Sequence, residues 1–326
     1  MARYLLGRLL QVAVVVVLVA TITFFLIHLA PGDPFGEALE NPNVTEAVRA
    51  HWRESYGLDR PLPEQFVKYV ANIARGDLGW SFSVQRPVAA ELRDKLPNTI
   101  FLMTLALLAS FAVGIGAAVL QVMKPGSLTD RIIGGVSLFL FSLPEFWLAL
   151  MVIFFLTYRL PVLNLPIGGM TDPSVHSSLG LGGRIADIAK HTVLPVLTLT
   201  LILSAVVARY QRAALLDVLP ADYVKTARAK GVPEKTIVRH HALRNALLPT
   251  ISLFGLAFPA LLTGAVYVEK VFSWPGMGQV IVNSIDSRDY PLLLASVIIG
   301  SVVVAVGSLL ADLLYMVADP RLAHDR

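Results

Sequence analysis

Six long apolar runs, almost free of charge, dominate this sequence and restrict what it can fold into. As an α-helix, each run is long enough to cross a hydrocarbon core of about 30 Å. Only 15% of the 326 residues are charged and the mean hydropathy is +0.66, whereas a soluble domain carries about 25% charged residues. The sequence therefore predicts an all-α polytopic membrane protein and excludes a purely soluble one. The runs lie at 9–30, 98–122, 133–158, 191–214, 247–268 and 291–317.

The first run follows Arg3 and Arg8, a pattern that also precedes the apolar part of a secretory signal. That part is usually about 7–15 residues long, and this run is longer. Pro31 directly follows Ala30, the one small residue at which cleavage would be expected. We therefore predict an uncleaved first span. The chain has no cysteine, which excludes disulfides and thiolate metal sites.

The basic residues predict the orientation of the spans. The segments 1–8, 123–132, 209–246 and 319–326 together hold 14 of the 27 Lys and Arg residues in 64 positions. Cytoplasmic loops carry such an excess, so both termini are predicted to be cytoplasmic. A count of five or seven spans remains an alternative if 159–190, which contains Pro and Gly, is re-entrant.

Two segments depart from the lipid-like pattern. The loop 31–97 holds 18 of the 50 charged residues and has helical periodicity at Glu46–Tyr56 and Pro63–Arg75. It predicts a folded extracytoplasmic cap that either docks an external partner or only stabilises the outer mouth. The predicted organisation is a first span (1–30), the cap (31–97), a core of five spans (98–318) and a tail (319–326).

The second polar segment, residues 215–246, is called the loop element below. Asp222 favours the start of a helix, Gly231 favours its left-handed end, and Pro233 favours the start of another. We predict two short helices meeting at Gly231, with Tyr223 and Ala227 on one face and Ile237 and His241 on the other. A solvated basic loop is the simpler alternative, and tethering by two spans argues against a DNA-binding helix-turn-helix.

Several stretches resemble the B-type permeases of dipeptide/oligopeptide ABC importers, from residue 3 to 321. In the coupling loop of such permeases a Glu-Ala-Ala triplet is followed by a Gly; here Lys225-Thr226-Ala227 stand at the triplet and Gly231 at the Gly, so the triplet matches only at Ala227. The other matching stretches are Pro31-Gly-Asp-Pro34, Tyr56-Gly-Leu-Asp-Arg-Pro61 to Gln65, Arg75-Gly-Asp-Leu-Gly-Trp-Ser81, His241 to Pro249, Phe272-Ser-Trp-Pro-Gly-Met-Gly278, Arg288-Asp-Tyr-Pro291 and Asp319-Pro-Arg321.

The resemblance implies a non-catalytic permease subunit in a bacterial inner or plasma membrane. Such a subunit pairs with a second, C-type permease to enclose a path for short peptides, which an extracytoplasmic binding protein delivers. Two ATPase subunits, which bind ATP and Mg, dock on the loop element. The chain itself has no Gly-x-x-x-x-Gly-Lys-Ser/Thr phosphate loop. The residues assigned to the ATPase contact are Asp222, Tyr223, Thr226, Ala227, Gly231, Ile237, His241 and Leu243.

Other functions remain to be distinguished. The same subfamily pattern also serves nickel complexes and glutathione-like compounds. A stand-alone secondary transporter would call for inverted repeats, and we find none. An intramembrane enzyme is disfavoured because the sequence has no Gly-x-Ser-x-Gly or His-Glu-x-x-His motif. No metal site or bound cofactor is predicted for this chain.

A few polar residues inside the spans are candidates for the transport path. Glu145 is placed near mid-membrane, where a carboxylate would meet the amino terminus of a peptide. Thr198 and Ser204 would offer hydroxyls to the substrate or bond their own helix. His28 and Asp312 are expected to be structural. Candidates for hinges or close helix packing are Pro144, Pro195, Pro249, Gly300 and Gly307.

Overall fold

The computed structural model describes the backbone of residues 2–29, 46, 50, 53–54, 57–159 and 164–318. Side chains are described over the same ranges, apart from 2–5, 9, 252, 256–264 and 310–318. The helices are α1 (Ala2–Leu29), α2 (Leu62–Ala74), α3 (Val88–Met123), α4 (Leu128–Ser142), α5 (Glu145–Ile153), α6 (Leu181–Val218), α7 (Asp222–Ala229), α8 (Leu243–Val271), α9 (Met277–Asp286) and α10 (Tyr290–Ala318).

Shorter elements connect these helices. Antiparallel strands β1 (Trp80–Ser81) and β2 (Arg86–Pro87) form a two-stranded ribbon before α3. A π-helical turn, Phe154–Arg159, extends α5, and His176–Ser178 is a 3₁₀ turn before α6. A helical turn at Glu234–Thr236 and a π-helical turn at Ile237–Ala242 lead into α8. The prediction of an all-α membrane protein is confirmed.

The long helices coincide with the predicted spans. In the part of the chain that the structure describes, four helices are long and apolar enough to cross a membrane: Leu6–Leu29 of α1, α3, α6 and Tyr290–Leu309 of α10. The bent pair formed by 128–142 and 145–159 brings the number to five if it counts as one span. The fifth predicted span, 247–268, lies within the 29-residue helix α8, but several of its side chains are outside the described residues.

The third predicted span is broken. Leu143 and Pro144 are both extended, with ψ angles of 139° and 135°, and the helical segments on either side differ in direction by 110°. Proline disfavours helical backbone in the residue before it, which accounts for the extended Leu143. The sequence predicted one continuous span with a kink at Pro144, and the structure replaces it with two helices.

The described residues within 1–98 and 276–305 form one compact unit. Its apolar core joins the start of α3 to α9 and α10 through Val88, Leu92, Val280 and Leu292. On α1, Phe24 packs against Phe66 and Tyr69 of α2. Burial raises the pKa of Tyr69. Helix α2 confirms the helix predicted at Pro63–Arg75, whereas most of Glu46–Tyr56 lies outside the described residues.

The described residues within 99–275 and 306–318 form the second unit. Its largest apolar cluster joins α3, α5, α6 and α8, and includes the fully buried Trp274 after α8. A smaller cluster, called the α3–α6 end cluster below, lies toward the ends of α3 and α6 and includes residues of the π-helical turn before α8. Its buried members are Ala118, Val119, Val122, Ala214, Leu215, Val238, Ala242 and Ala246.

Helices α3 and α6 approach each other closely at Gly114. A Cβ atom at this position would lie 2.6 Å from Cβ of Val207 and 2.8 Å from the carbonyl oxygen of Ser204. Any residue larger than Gly would therefore force the two helices apart. The second predicted span is therefore closely packed against α6 at Gly114.

Candidate functional site

The loop element folds as two helical segments that meet at Gly231. Helix α7 ends in a Schellman motif, in which the amide of Gly231 donates to the carbonyl of Arg228 and the amide of Val232 donates to that of Ala227. Gly231 has a φ of +79°, a region that residues with a Cβ rarely adopt. Asp222 is the first residue of α7. The predicted helix start and glycine turn are both confirmed.

The inner face of the loop element forms a small apolar core of its own. Val224 and Ala227 of α7 pack against Ile237, and all three are buried. The next residue, Val238, is buried in the α3–α6 end cluster. Two consecutive side chains of the π-helical turn thus enter two different clusters, so this turn links α7 to the ends of α3 and α6 and to the start of α8.

The burial of Ala227 and Ile237 changes the expected contact surface. Both were assigned to an ATPase contact, but they face the chain's own core. Leu243 is half-buried against the α3–α6 end cluster. The exposed residues of the assigned set are Asp222, Tyr223, Thr226, Gly231 and His241.

Hydrogen bonds fix several of the exposed side chains. Asn245 donates to the hydroxyl oxygen of Tyr223 at 2.8 Å, and the Thr226 hydroxyl donates to the carbonyl of Asp222. The Arg228 guanidinium donates from two nitrogens to the two carboxylate oxygens of Glu234, at 3.0 and 2.7 Å, across the glycine turn. This contact lowers the pKa of the Glu234 carboxyl and raises that of Arg228.

The outer surface of the loop element is mainly basic. Its exposed acids between 215 and 246 are Asp217, Asp222 and Glu234, and the last two are each paired with a base of the element. The exposed Lys and Arg residues in that range are Lys225, Arg228, Lys230, Lys235, Arg239 and Arg244. This surface suits a partner that is acidic or rich in hydrogen-bond acceptors.

Glu145 lies directly after the break between α4 and α5. It is the first residue of α5, with Pro144 as the preceding cap residue, and its side chain is half-buried. A carboxylate at a helix N-terminus is stabilised by the helix dipole. The structure therefore places the predicted path residue at an irregular point of the bundle rather than in the middle of a continuous helix.

The hydroxyl candidates bond their own helix. Thr198 donates to the carbonyl of Leu194 at 2.9 Å and is fully buried. Ser204 donates to the carbonyl of Leu201 at 3.4 Å and is also buried. Thr200, on the same helix, is buried, and no described group bonds its hydroxyl. In this conformation, Thr198 and Ser204 therefore bond their own helix and are not free to bind a substrate.

The hinge and packing candidates differ in their surroundings. Helix α6 continues through Pro195 and α8 continues through Pro249, so neither proline ends its helix. A Cβ atom added to Gly300 would meet no described atom within 4 Å, whereas Gly307 is buried. Only at Pro144 does a candidate coincide with a break.

Three polar sites were not predicted from the sequence. The fully buried Glu269 accepts a hydrogen bond from Thr99 at 2.6 Å. The buried Asp130 carboxylate binds Arg212. The fully buried Asp289 accepts hydrogen bonds from residues of the ribbon that β1 and β2 form.

Asp289 ties the ribbon to the start of α10. One carboxylate oxygen accepts from the Ser81 hydroxyl at 2.5 Å and from the amide and hydroxyl of Ser83 at 2.9 and 2.7 Å. The other oxygen accepts from the amide of Leu292. Ser81 and Asp289 each belong to a stretch that carries the family resemblance, and that was the one available signal of their contact.

Histidine and acidic side chains do not assemble into a metal site in the described ranges, where no group of three or more is arranged to hold an ion. On α6, the Asp187 carboxylate lies 2.6 Å from Nδ1 of His176 and 3.2 Å from Nδ1 of His191. Nδ1 of His28 lies 2.8 Å from the carbonyl oxygen of Phe24 on α1. The side chain of Asp312 lies outside the described residues.

Comparison with known proteins places the whole chain in one family. Residues 110–324 match the family described as binding-protein-dependent transport system inner membrane component. Residues 1–103 match the N-terminal family of the same transport-system membrane component. Between them, the two matches cover nearly the whole sequence.

Curated relatives match over nearly their full lengths. The oligopeptide transport system permease protein AppB of Bacillus subtilis is 36% identical over 99% of this chain and 100% of its own length. The di/tripeptide transport system permease protein DppB of Pseudomonas aeruginosa is 37% identical over 94% of this chain and 95% of its own length. The glutathione transport system permease protein GsiC of Salmonella typhi is 36% identical over 99% and 100%. The chain therefore belongs to the family of inner membrane components of binding-protein-dependent transport systems.

Proposed function

We propose that this chain forms part of the transmembrane path of an ATP-driven importer for short peptides, in a bacterial inner or plasma membrane. Both termini lie in the cytoplasm, and the loop element lies on the same side. A second, C-type permease completes the path, and an extracytoplasmic protein delivers the substrate. Two ATPase subunits bind and hydrolyse ATP with Mg, because this chain has no phosphate loop of its own.

The loop element is the observation that carries this proposal. It presents a short helix, a fixed glycine turn and a basic surface, and its inner face is packed onto the ends of α3, α6 and α8. A projection that is exposed outside and packed inside transmits force as a rigid body. Nucleotide-driven movement of the ATPases would therefore reach α6 and α8 directly.

Substrate is proposed to pass the break between α4 and α5. Glu145 would meet the ammonium group of a peptide there, since ionisable groups within spans are costly and usually functional. Thr198 and Ser204 would contribute hydroxyls only if α6 rotates, because both now bond their own helix. Pro144 is the proposed hinge of this region.

Peptides are favoured as substrates because relatives of nearly equal identity are named for oligopeptide and di/tripeptide transport. Glutathione is a second candidate, since other relatives of 36% identity are named for it. Both substrates are short peptides with a free ammonium group and carboxylates, so the same path chemistry would serve either.

Reconstitution tests the proposal. The chain would be co-expressed with its second permease, ATPases and binding protein, and the complex placed in vesicles. We expect ATP-dependent uptake of radiolabelled trialanine that requires the binding protein, with glutathione as the competing substrate. Uptake by the purified chain alone, driven by an ion gradient without ATP, would instead identify a secondary transporter.

A further inference from the structure

Helix α4 is held to the bundle in an unusual way, by polar side chains. Of its 15 residues, the buried ones are Asp130 and Ser137. Six of its large apolar side chains are at least half exposed: Leu128, Ile132, Val136, Leu138, Phe139 and Phe141. Leu140, near its other end, packs against the largest apolar cluster. Near the start of this helix the half-buried large apolar side chain is Ile133, so we infer that polar contacts contribute most to the position of that end.

The buried carboxylate of Asp130 is the main contact of that end. Nε and Nη2 of Arg212, on α6, donate to its two oxygens at 3.0 Å each. The amide of Gly126 and the side-chain amide of Gln121 donate to the same carboxylate at 2.9 and 3.1 Å. Two parallel charge-assisted hydrogen bonds fix direction as well as distance, so α4 and α6 are joined rigidly at this point.

The residue before Arg212 joins α6 to α8. Gln211 is fully buried and donates to the carbonyl of Ala246 at 3.0 Å. Its carbonyl oxygen accepts from the hydroxyl of Thr250 at 2.6 Å. Helix α6 leads into the loop element and α8 leads out of it, so this contact makes the two helices move together.

A further buried hydrogen bond at the start of α4 runs from the side-chain amide of Gln121, on α3, to the carbonyl oxygen of Asp130 at 3.2 Å. The α3–α6 end cluster contains residues of α3, α6, the π-helical turn and α8, and none of α4. The Arg209 guanidinium lies 5.6 Å from the ring centre of Phe141, but this contact is exposed and near the opposite end of α4. The far end of α4 is the break that precedes Glu145.

We propose that the Asp130–Arg212 ion pair is the mechanical link that carries movement of the loop element into α4 and on to the break at Leu143–Pro144. Displacement of α7 moves α6 and α8 as a pair, Arg212 pulls Asp130 with them, and α4 changes its angle to α5 beside Glu145. This inference rests on the proposed transport function and makes Arg212 a positioning residue.

Uptake per ATP hydrolysed tests the link in the reconstituted complex. In Asp130→Asn and Arg212→Met, we expect ATP hydrolysis to continue while trialanine uptake per ATP falls about tenfold. Arg212→Lys keeps the charge but loses the paired hydrogen bonds, so its ratio should be intermediate. The double variant Asp130→Asn/Arg212→Met should be no worse than either single variant. Arg131→Gln, which removes an exposed charge next to Asp130, is the matched control.

The proposal is overturned if uptake and hydrolysis fall in proportion, if neither changes, or if the double variant shows the product of the two single effects. A second measurement does not depend on transport. The chain has no cysteine, so spin labels can be placed at Leu138→Cys on α4 and Leu216→Cys on α6. We expect a narrow distance distribution that broadens when Asp130→Asn is added, and an unchanged distribution would reject the link. If the unaltered complex takes up no peptide, the proposed function fails while these distances still test the ion pair.

Discussion

Gly231 is the residue whose backbone conformation the loop element needs most. A Cβ at this position meets no described atom within 4 Å, so Gly231→Ala acts through the backbone alone and costs about 1–2 kcal/mol at a left-handed φ. We expect Gly231→Ala to lower peptide uptake per ATP hydrolysed in the reconstituted complex, because α7 loses its fixed angle to the π-helical turn.

Gly76 provides a matched control for this substitution. It ends α2 in the same Schellman motif, with a φ of +80°, and a Cβ there also meets no described atom within 4 Å. Gly76→Ala therefore imposes the same backbone strain outside the loop element. An equal loss of uptake per ATP in both variants would show that the effect comes from general destabilisation, contrary to the prediction.

Asp289 is the residue on which the ribbon depends. Asp289→Ala would leave the hydroxyls of Ser81 and Ser83 and the Ser83 amide without their acceptor, at a cost of about 2–4 kcal/mol. We expect a lower melting temperature in detergent, followed by tryptophan fluorescence, to which Trp80 beside Ser81 contributes. Asp289→Asn keeps one acceptor oxygen and should lose less. Asp59→Ala, an exposed aspartate of the same unit, should change little; equal losses in all three variants would contradict the role of Asp289.

At the scale of elements, the Arg228–Glu234 pair joins the two halves of the loop element. The pKa of Glu234 is lower in the folded element than its ordinary value of 4.5. The pair therefore stabilises the fold at pH values above 4.5, and this contribution is lost as the pH falls through the lower, folded pKa. Both side chains are 48% exposed, so solvent screening keeps this contribution small.

Hydrogen exchange measures this contribution. At pH 7, amides 226–237 should be less protected in Glu234→Gln than in the unaltered chain, after correction for intrinsic exchange. At pH 3 the difference should shrink. The control Glu64→Gln removes a comparably exposed partner of Arg60 on α2 and should leave the loop element unchanged. A difference that persists undiminished at pH 3 would show that the carboxylate is not the stabilising group.

The elements also show what could be predicted from the sequence and what could not. The glycine turn at Gly231 and the start of α7 at Asp222 were predictable because both depend on local backbone and capping preferences. The inward direction of Ala227 was not, since it depends on packing against Ile237 across the turn. Partners of Glu269 and Asp289 lie 170 and 208 residues away in sequence, so nothing local identified them.

At the scale of the whole molecule, the bent pair of α4 and α5 decides the topology of the core. If the pair crosses the membrane, residues before it and after it face opposite sides; if it is re-entrant, they face the same side. Lys124 precedes the pair, Val175 follows it, and Lys235 lies beyond α6; all three are exposed. Single cysteines at these positions have no background, because the chain contains none.

We expect a membrane-impermeant maleimide to label Val175→Cys in intact cells, and to label Lys124→Cys and Lys235→Cys only after permeabilisation. This pattern follows because the excess of basic residues predicts that 123–132 and 209–246 are cytoplasmic, and because an odd number of predicted crossings separates each of these segments from Val175. If Lys124→Cys and Val175→Cys are labelled from the same side, the bent pair of α4 and α5 is re-entrant. Helix α6 would then carry the loop element to the side opposite Lys124, where cytoplasmic ATPases are unable to reach it if Lys124 is inside. The same three cysteines therefore test the topology and the side on which the proposed ATPase contact must lie.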